Sequence, residues 1–193
     1  MFNRKPAPSA PGKGTTQPAS SPSAAPPPTG WRLQVLTTDF VAEGYLPPAE
    51  TPLAGFLNAT NQSTLTLSPA RLTPLNLQAL IATDTPAEVT LAKAALIAVI
   101  PMDEAGQRSA AVQLAPRAEK AVMYAGPYMI RASVRLMGDM PLRHLFNTGV
   151  GSVIVATDAE IVSLRADSVF AAPKAPIVIL NKGLVQLYHP AGA

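Results

Sequence analysis

The chain has no cysteine, so it holds no disulfide framework, no thiolate-ligated zinc and no thiol nucleophile. Charge is also scarce. Asp, Glu, Lys and Arg together make 14% of the residues, against about 25% in an average globular protein. Aromatic residues are 5%, too few for the stacked rings of a single-strand nucleic-acid platform. Nowhere do the ~18 uninterrupted apolar residues of a spanning helix occur. The longest candidate, Ala94 to Met102, is closed off by Lys93 and Asp103. The basic start MFNRKPAPSAPGKG is followed by no apolar stretch and does not read as a secretory leader. These absences make a cytoplasmic protein with no transmembrane segment the expectation.

Proline, by contrast, is plentiful. Of its 21 copies, eight fall in residues 1–30, among Ser, Ala, Gly and Thr. Such a segment cannot bury enough apolar surface to offset the entropy of ordering. Residues 1–30 are therefore expected to be a disordered Pro/Ser/Ala-rich tail, with Pro26-Pro27-Pro28 extended. Phe2, Arg4 and Lys5 form its sticky end and are the candidate docking residues. The formal charge of +3 also belongs to the tail, which carries Arg4, Lys5 and Lys13 and no acid. Residues 31–193 carry 12 basic and 12 acidic side chains. A neutral body lacks the broad positive field that captures nucleic acid, although a local patch is compatible with it. A second polar stretch, residues 102–119 with Gly106 and Pro116, reads as a linker whose centre near Ala110–Leu114 adds a short strand or turn of helix.

Sliding the chain on itself by 89 positions lays Phe40–Pro101 on Met129–Pro190 without a gap. Eleven of 62 positions are identical. Pro52, Leu53, Asn58, Ser63, Ala70 and Leu75 meet Pro141, Leu142, Asn147, Ser152, Ala159 and Leu164. Ala82, Val89, Leu91, Lys93 and Pro101 meet Ala171, Val178, Leu180, Lys182 and Pro190. The expected organisation is a tail at 1–30, β unit one at 31–101, a linker at 102–119 and β unit two at 120–193.

Each unit has one local plan. Arg32–Leu36 and Val41–Leu46 read as strands around Thr37-Thr38-Asp39, and Ala121–Tyr124 and Tyr128–Leu136 repeat this around Ala125-Gly126-Pro127. Ile130–Leu136 alternates apolar and polar residues with the period of a half-buried strand. Thr51-Pro52-Leu53 and Asp139-Met140-Pro141 place a capping oxygen and a proline at the start of a short helix. Paired strands are expected around Ser68-Pro69-Ala70 and Thr157-Asp158-Ala159. Closing hairpins are expected around Ala92-Lys93-Ala94 and Asn181-Lys182-Gly183, the latter a turn tolerant of positive φ. Many short strands with frequent turns indicate a mainly β fold of two tandem small barrel- or roll-like units, each with one short helix.

The residues that carry a resemblance are Gly44-Tyr45-Leu46 at a strand end, the Pro-Leu pairs at 52 and 141 followed by Asn58 and Asn147, the strands ending near Leu75 and Leu164, and the closing Val-x-Leu-Asn-Lys-Gly of unit two. The pattern resembles an uncharacterised bacterial family of small β domains of unknown function, here in tandem duplicate. It implies no activity and no cofactor. Unit one departs from it at Ala92-Lys93-Ala94.

Candidate chemistry is thin. His144 and His189 have no nucleophile or carboxylate motif beside them, and no Gly-x-Ser-x-Gly elbow is present. Asp103-Glu104 and the Asp158, Glu160 pair do not have metal-ligand clustering. Gly149-Val150-Gly151-Ser152 lacks the rest of a phosphate loop and precedes a strand. Arg131, Arg135 and Arg143 are the one basic cluster, a candidate patch for an anionic partner. The reading is a non-catalytic structural, scaffold or adaptor protein, not an enzyme, that binds another protein or itself and needs no cofactor or metal. The alternative is a polyanion- or nucleic-acid-binding module using the arginine patch.

Overall fold

The computed structural model describes residues 29–76, 83–110, 117–147, 151–166, 168, 170 and 174–192. The docking residues Phe2, Arg4 and Lys5, the linker centre at 111–114 and the repeat pair Ala82 and Ala171 lie outside the described residues.

The chain is mainly β. Trp31–Leu36 (β1) and Phe40–Leu46 (β2) are followed by helix α1 (Leu53–Asn58). Then come β3 (Thr64–Leu67), β4 (Ala70–Pro74), β5 (Val89–Ala92), a single 3-10 turn at Lys93–Ala95 and β6 (Ala98–Pro101). Helix α2 (Glu104–Ala110) leads to β7 (Arg117–Ala125), β8 (Tyr128–Leu136) and α3 (Leu142–Asn147). β9 (Val153–Ser163), β10 (Lys174–Asn181), a 3-10 turn at Lys182–Leu184 and β11 (Val185–Pro190) complete it.

Local chemistry explains several of these elements. β8 buries Tyr128, Ile130, Ala132, Val134 and Leu136 and turns the residues between them outward, as its alternation predicts. The two-residue turn into it needs Gly126, at φ +55°. The expected capping oxygen at Thr51 does not cap α1. The Leu53 amide donates instead to Ser109 Oγ on α2, at 3.0 Å. Asp103 caps α2 through the Gly106 amide (2.6 Å) and also accepts from the Arg32 amide (2.7 Å). The stretch read as a linker thus holds a helix locked onto β1 and α1, and its last residues already belong to β7.

The expected pair of small barrels is corrected. Nine strands form one antiparallel sheet in the order β11-β7-β8-β9-β10-β6-β1-β2-β4, with β3 and β5 paired separately. β11 and β4 are its end strands, and it does not close into a barrel. Its two parts meet at β6 and β10, where Val99 faces Ile179 and Ala98 faces Leu180.

The expected closing hairpins do not form, for a local reason. At Asn181 the side chain accepts from the Gly183 amide at 3.0 Å, and the Val185 amide donates to the Lys182 carbonyl. This winds the turn helically, so β11 leaves β10 and pairs with β7. The Leu96 amide donates to the Lys93 carbonyl in the same way, freeing β6 to pair with β1 and β10. The strands expected to pair around Ser68-Pro69-Ala70 also stay apart. β3 pairs with β5, and β4 pairs with β2. Their counterparts in unit two merge into the single strand β9.

At an offset of 89, α1 falls on α3 and the turn Lys93–Ala95 on Lys182–Leu184 with no residue to spare. The β3–β5 register also transfers. Thr64 faces Ala92 and Leu67 faces Val89, while Val153 faces Asn181 and Ala156 faces Val178.

Two buried clusters lie on opposite faces of the central strands. Leu36, Ala98, Ile100, Val178 and Leu180 belong to one, and Leu33, Val35, Val99 and Ile179 to the other. Residues 31–101 and 120–193 contribute to both. Tyr128, Ile130 and Ile154 join the first, and Leu53, Leu57 and Leu67 join the second. Among the described residues no helix is long and apolar enough to cross a membrane.

Candidate functional site

The polar residues identical in the two halves are Asn, Ser and Lys, at 58/147, 63/152 and 93/182. Three of these six side chains gather where the halves meet. Lys93 leaves the end of β5 and lies under the C-terminus of α1. Its Nζ donates to the Phe56 carbonyl and to the Ala59 carbonyl (3.3 Å), and sits 4.3 Å from the centre of the Phe56 ring. A short helix leaves its last carbonyls without intrahelical donors, and the ammonium supplies them. Burial draws the Lys93 pKa below the usual lysine range.

Asn58, the last residue of α1, reaches the other way. Its Oδ1 accepts from the Ser152 amide (2.7 Å), the Ser152 hydroxyl (3.2 Å) and the Val153 amide (3.2 Å) at the start of β9. Beside it, the Lys182 amide donates to the Ser152 carbonyl at 3.0 Å, and the Asn181 amide donates to the Ile97 carbonyl at 3.1 Å. On the opposite cluster, the buried Tyr128 hydroxyl donates to the Thr37 carbonyl in the β1–β2 turn at 3.1 Å. Desolvation raises the Tyr128 pKa far above the usual phenol range. Asp39 adds to this and Arg165 opposes it.

A cavity of about 120 Å³ opens at this seam, lined by Leu57, Lys93, Val99, Ser152 and Ile179 among others. It is smaller than the ~300 Å³ at which pockets for drug-sized ligands begin. Lys93 and Asn181 around it are engaged with backbone groups, and Ser152 with the Asn58 side chain. The Ser152 hydroxyl donates to the neutral Asn58 amide oxygen, which cannot take its proton as a base would.

Arg131 and Arg135 share the outer face of β8, as the alternation indicated. Lys120 lies opposite Ser133 on the neighbouring strand and adds to that face. Arg131 is, however, 3.7 Å from Glu160, its cross-strand neighbour on β9, and Lys174 lies opposite Glu160 from the other side. Arg143 sits apart, exposed on α3. His144 is on the same helix, and His189 lies on β11 with its ring 6.1 Å from that of Tyr124. Asp158 occupies a left-handed backbone position, φ +53°, within β9. Among the described residues no three His, Cys, Asp or Glu side chains gather as a metal site. The sequence reading passed over Asn58, Lys93 and Ser152. The signal for them lay in the sequence, since they belong to the polar identities at an offset of 89 positions.

No family model, no curated protein and no solved structure matches this chain. The resemblance to a bacterial family therefore rests on the sequence pattern alone.

Proposed function

We propose that this chain is a non-catalytic structural or adaptor protein, built from two copies of one β unit and acting through protein–protein contacts. The observation that carries the reading is the use of its repeated polar residues. Lys93 binds backbone carbonyls at the end of α1, and Asn58 ties α1 to the start of β9 through the Ser152 and Val153 amides and the Ser152 hydroxyl. Chemistry that converts a substrate needs polar groups converging on a reacting atom. Here they converge on the chain itself. The coincident bounds of α1 with α3, and of the two 3-10 turns, support duplication of one unit, with the bacterial family of small β domains as its source. In this reading the Pro-rich segment at 1–30 is a tether, with Phe2, Arg4 and Lys5 as its contact end, and the protein works in the cytoplasm.

The test is the solution mass of the full chain by light scattering at low and high salt. An assembly of defined mass at both salt concentrations supports the reading. The placement of Lys120, Arg131 and Arg135 on one face favours a second reading, an anion-binding surface. A monomer that binds a polyanion in a steeply salt-dependent way, and loses that binding on Arg131→Glu with Arg135→Glu, replaces the first reading with the second.

A further inference from the structure

The joint between the halves is made once, and the repeat contains the strands to make it twice. Inside the chain, β6 pairs with β10, with Ala98 opposite Leu180 and Val99 opposite Ile179. Moved by 89 positions, Ala98 becomes Leu187 and Val99 becomes Tyr188. Moved back by the same number, Leu180 becomes Leu91 and Ile179 becomes Thr90. The counterpart of the joint is therefore β11 against β5, with Leu187 opposite Leu91 and Tyr188 opposite Thr90.

That pairing is not made within the chain. β11 ends the nine-stranded sheet, and β5 pairs only with β3 among the described residues. β11 ends on Pro190 and shifts register on β7 between Val185 and Leu187, but neither edge carries the charge that most directly blunts one. Neither Val89–Ala92 nor Val185–Pro190 contains Lys, Arg, Asp or Glu. Leu187 is 58% exposed, one of the few large apolar side chains left in solvent. The remaining edge of the large sheet is treated differently. β4 carries Arg71, and its outer side is closed by hydrogen bonds between Leu72 and Asp84 in both directions (2.8 and 3.0 Å). Edge strands left uncharged and uncovered are templates for pairing with another chain.

We propose that two copies of this chain associate by placing β11 of each on β5 of the other, in the register of the internal β6–β10 joint. Two such contacts related by a two-fold axis close the dimer and leave neither edge open. The proposal rests on the duplication and self-association of the preceding reading and names the surface that carries it.

The absence of cysteine gives a direct test. Ala98 and Leu180 are a non-hydrogen-bonded pair, because the adjacent Asn181 amide donates to the Ile97 carbonyl. Side chains in such pairs lie closest, within reach of a disulfide. In the full chain carrying Leu91→Cys and Leu187→Cys, mild oxidation with oxidised glutathione is expected to give a covalent species of twice the chain mass. Either single variant is expected to give a much smaller amount. A disulfide within one chain overturns the proposal, since the edges then close on themselves. A wild-type dimer whose double variant does not cross-link also overturns it, yet leaves self-association standing. A monomer by light scattering overturns the proposal and self-association together. Leu187→Lys alters only an exposed side chain and tests the same edge without a new thiol. It is expected to convert the dimer to monomer, and a retained dimer mass counts against the proposal.

Discussion

At the residue scale, one amide is used differently in the two halves. Asn58 accepts three hydrogen bonds from residues 152 and 153, whereas the corresponding Asn147 is exposed and makes no such bond among the described residues. Removing an acceptor that serves partly buried amides costs about 1–2 kcal/mol. Asn58→Ala is thus expected to lower the urea midpoint by that equivalent, and Asn147→Ala to leave it nearly unchanged. Equal losses would show that the bridge to β9 is not the source of the effect. Tyr128 gives a pH-dependent counterpart. Its phenol is fully buried, and desolvation raises its pKa. The folded chain therefore holds this proton where the unfolded chain releases it. Stability from this group is complete below the ordinary phenol value of about 10 and falls as pH rises beyond it. Tyr128→Phe removes the bond to Thr37 at a cost of about 1 kcal/mol near neutrality. It also flattens the alkaline decline, as read by urea unfolding from pH 8 to 11. An unchanged decline would assign it to other groups.

At the element scale, the contrast between β3–β4 and β9 shows how one residue redirects a strand. Ser68-Pro69-Ala70 and Thr157-Asp158-Ala159 lie 89 positions apart and coincide at the offset that lays α1 on α3. Proline lacks an amide for the ladder and ends a strand. There the chain steps from β3 in the small sheet to β4 in the large one. Gly44 on β2 accommodates that step, because a Cβ on it would lie 2.6 Å from the Pro69 carbonyl oxygen. With aspartate in place of proline, β9 runs through for 11 residues. The register slips by one residue between Arg131 and Ser133, and Asp158 takes φ +53°. This is a bulge that glycine would accept more readily. Left-handed backbone costs a side-chain-bearing residue ~1–2 kcal/mol, most for a β-branched one. Asp158→Gly is expected to raise the thermal midpoint slightly, and Asp158→Val to lower stability by about 1–2 kcal/mol. The reverse order in a calorimetric scan would exclude the bulge as the source of strain.

For the whole molecule, the sheet and both cores run through the seam, so the described body is expected to unfold in one step. Trp31 is the single tryptophan and belongs to the cluster that also contains Ile179. Its fluorescence and the far-UV circular dichroism are expected to share one urea transition. Ile179 is 1% exposed and lies opposite Val99 at the joint. Ile179→Ala is expected to cost about 2–4 kcal/mol while keeping a single transition, because the cavity it leaves lies in a core used by both halves. Two separated transitions would instead indicate units that fold independently.

The sequence by itself determined the strand-rich composition, the hairpins β1–β2 and β7–β8, helices α1 and α3, and the offset of 89 positions at which those helices coincide. These depend on alternation, proline placement and short-range turn chemistry, all local properties of the chain. Arg131 and Arg135 could be put on one face of β8 for the same reason. Only the tertiary structure decided that β6 joins β10 and that nine strands form one sheet in place of two small barrels. It also decided that Asn58 binds Ser152 and that Glu160 occupies Arg131. Those outcomes join residues about 30 to 94 positions apart. Alternation says that a side is buried, but not against which partner. That choice is made by competition among apolar faces of similar size, and here residues of both halves enter both cores.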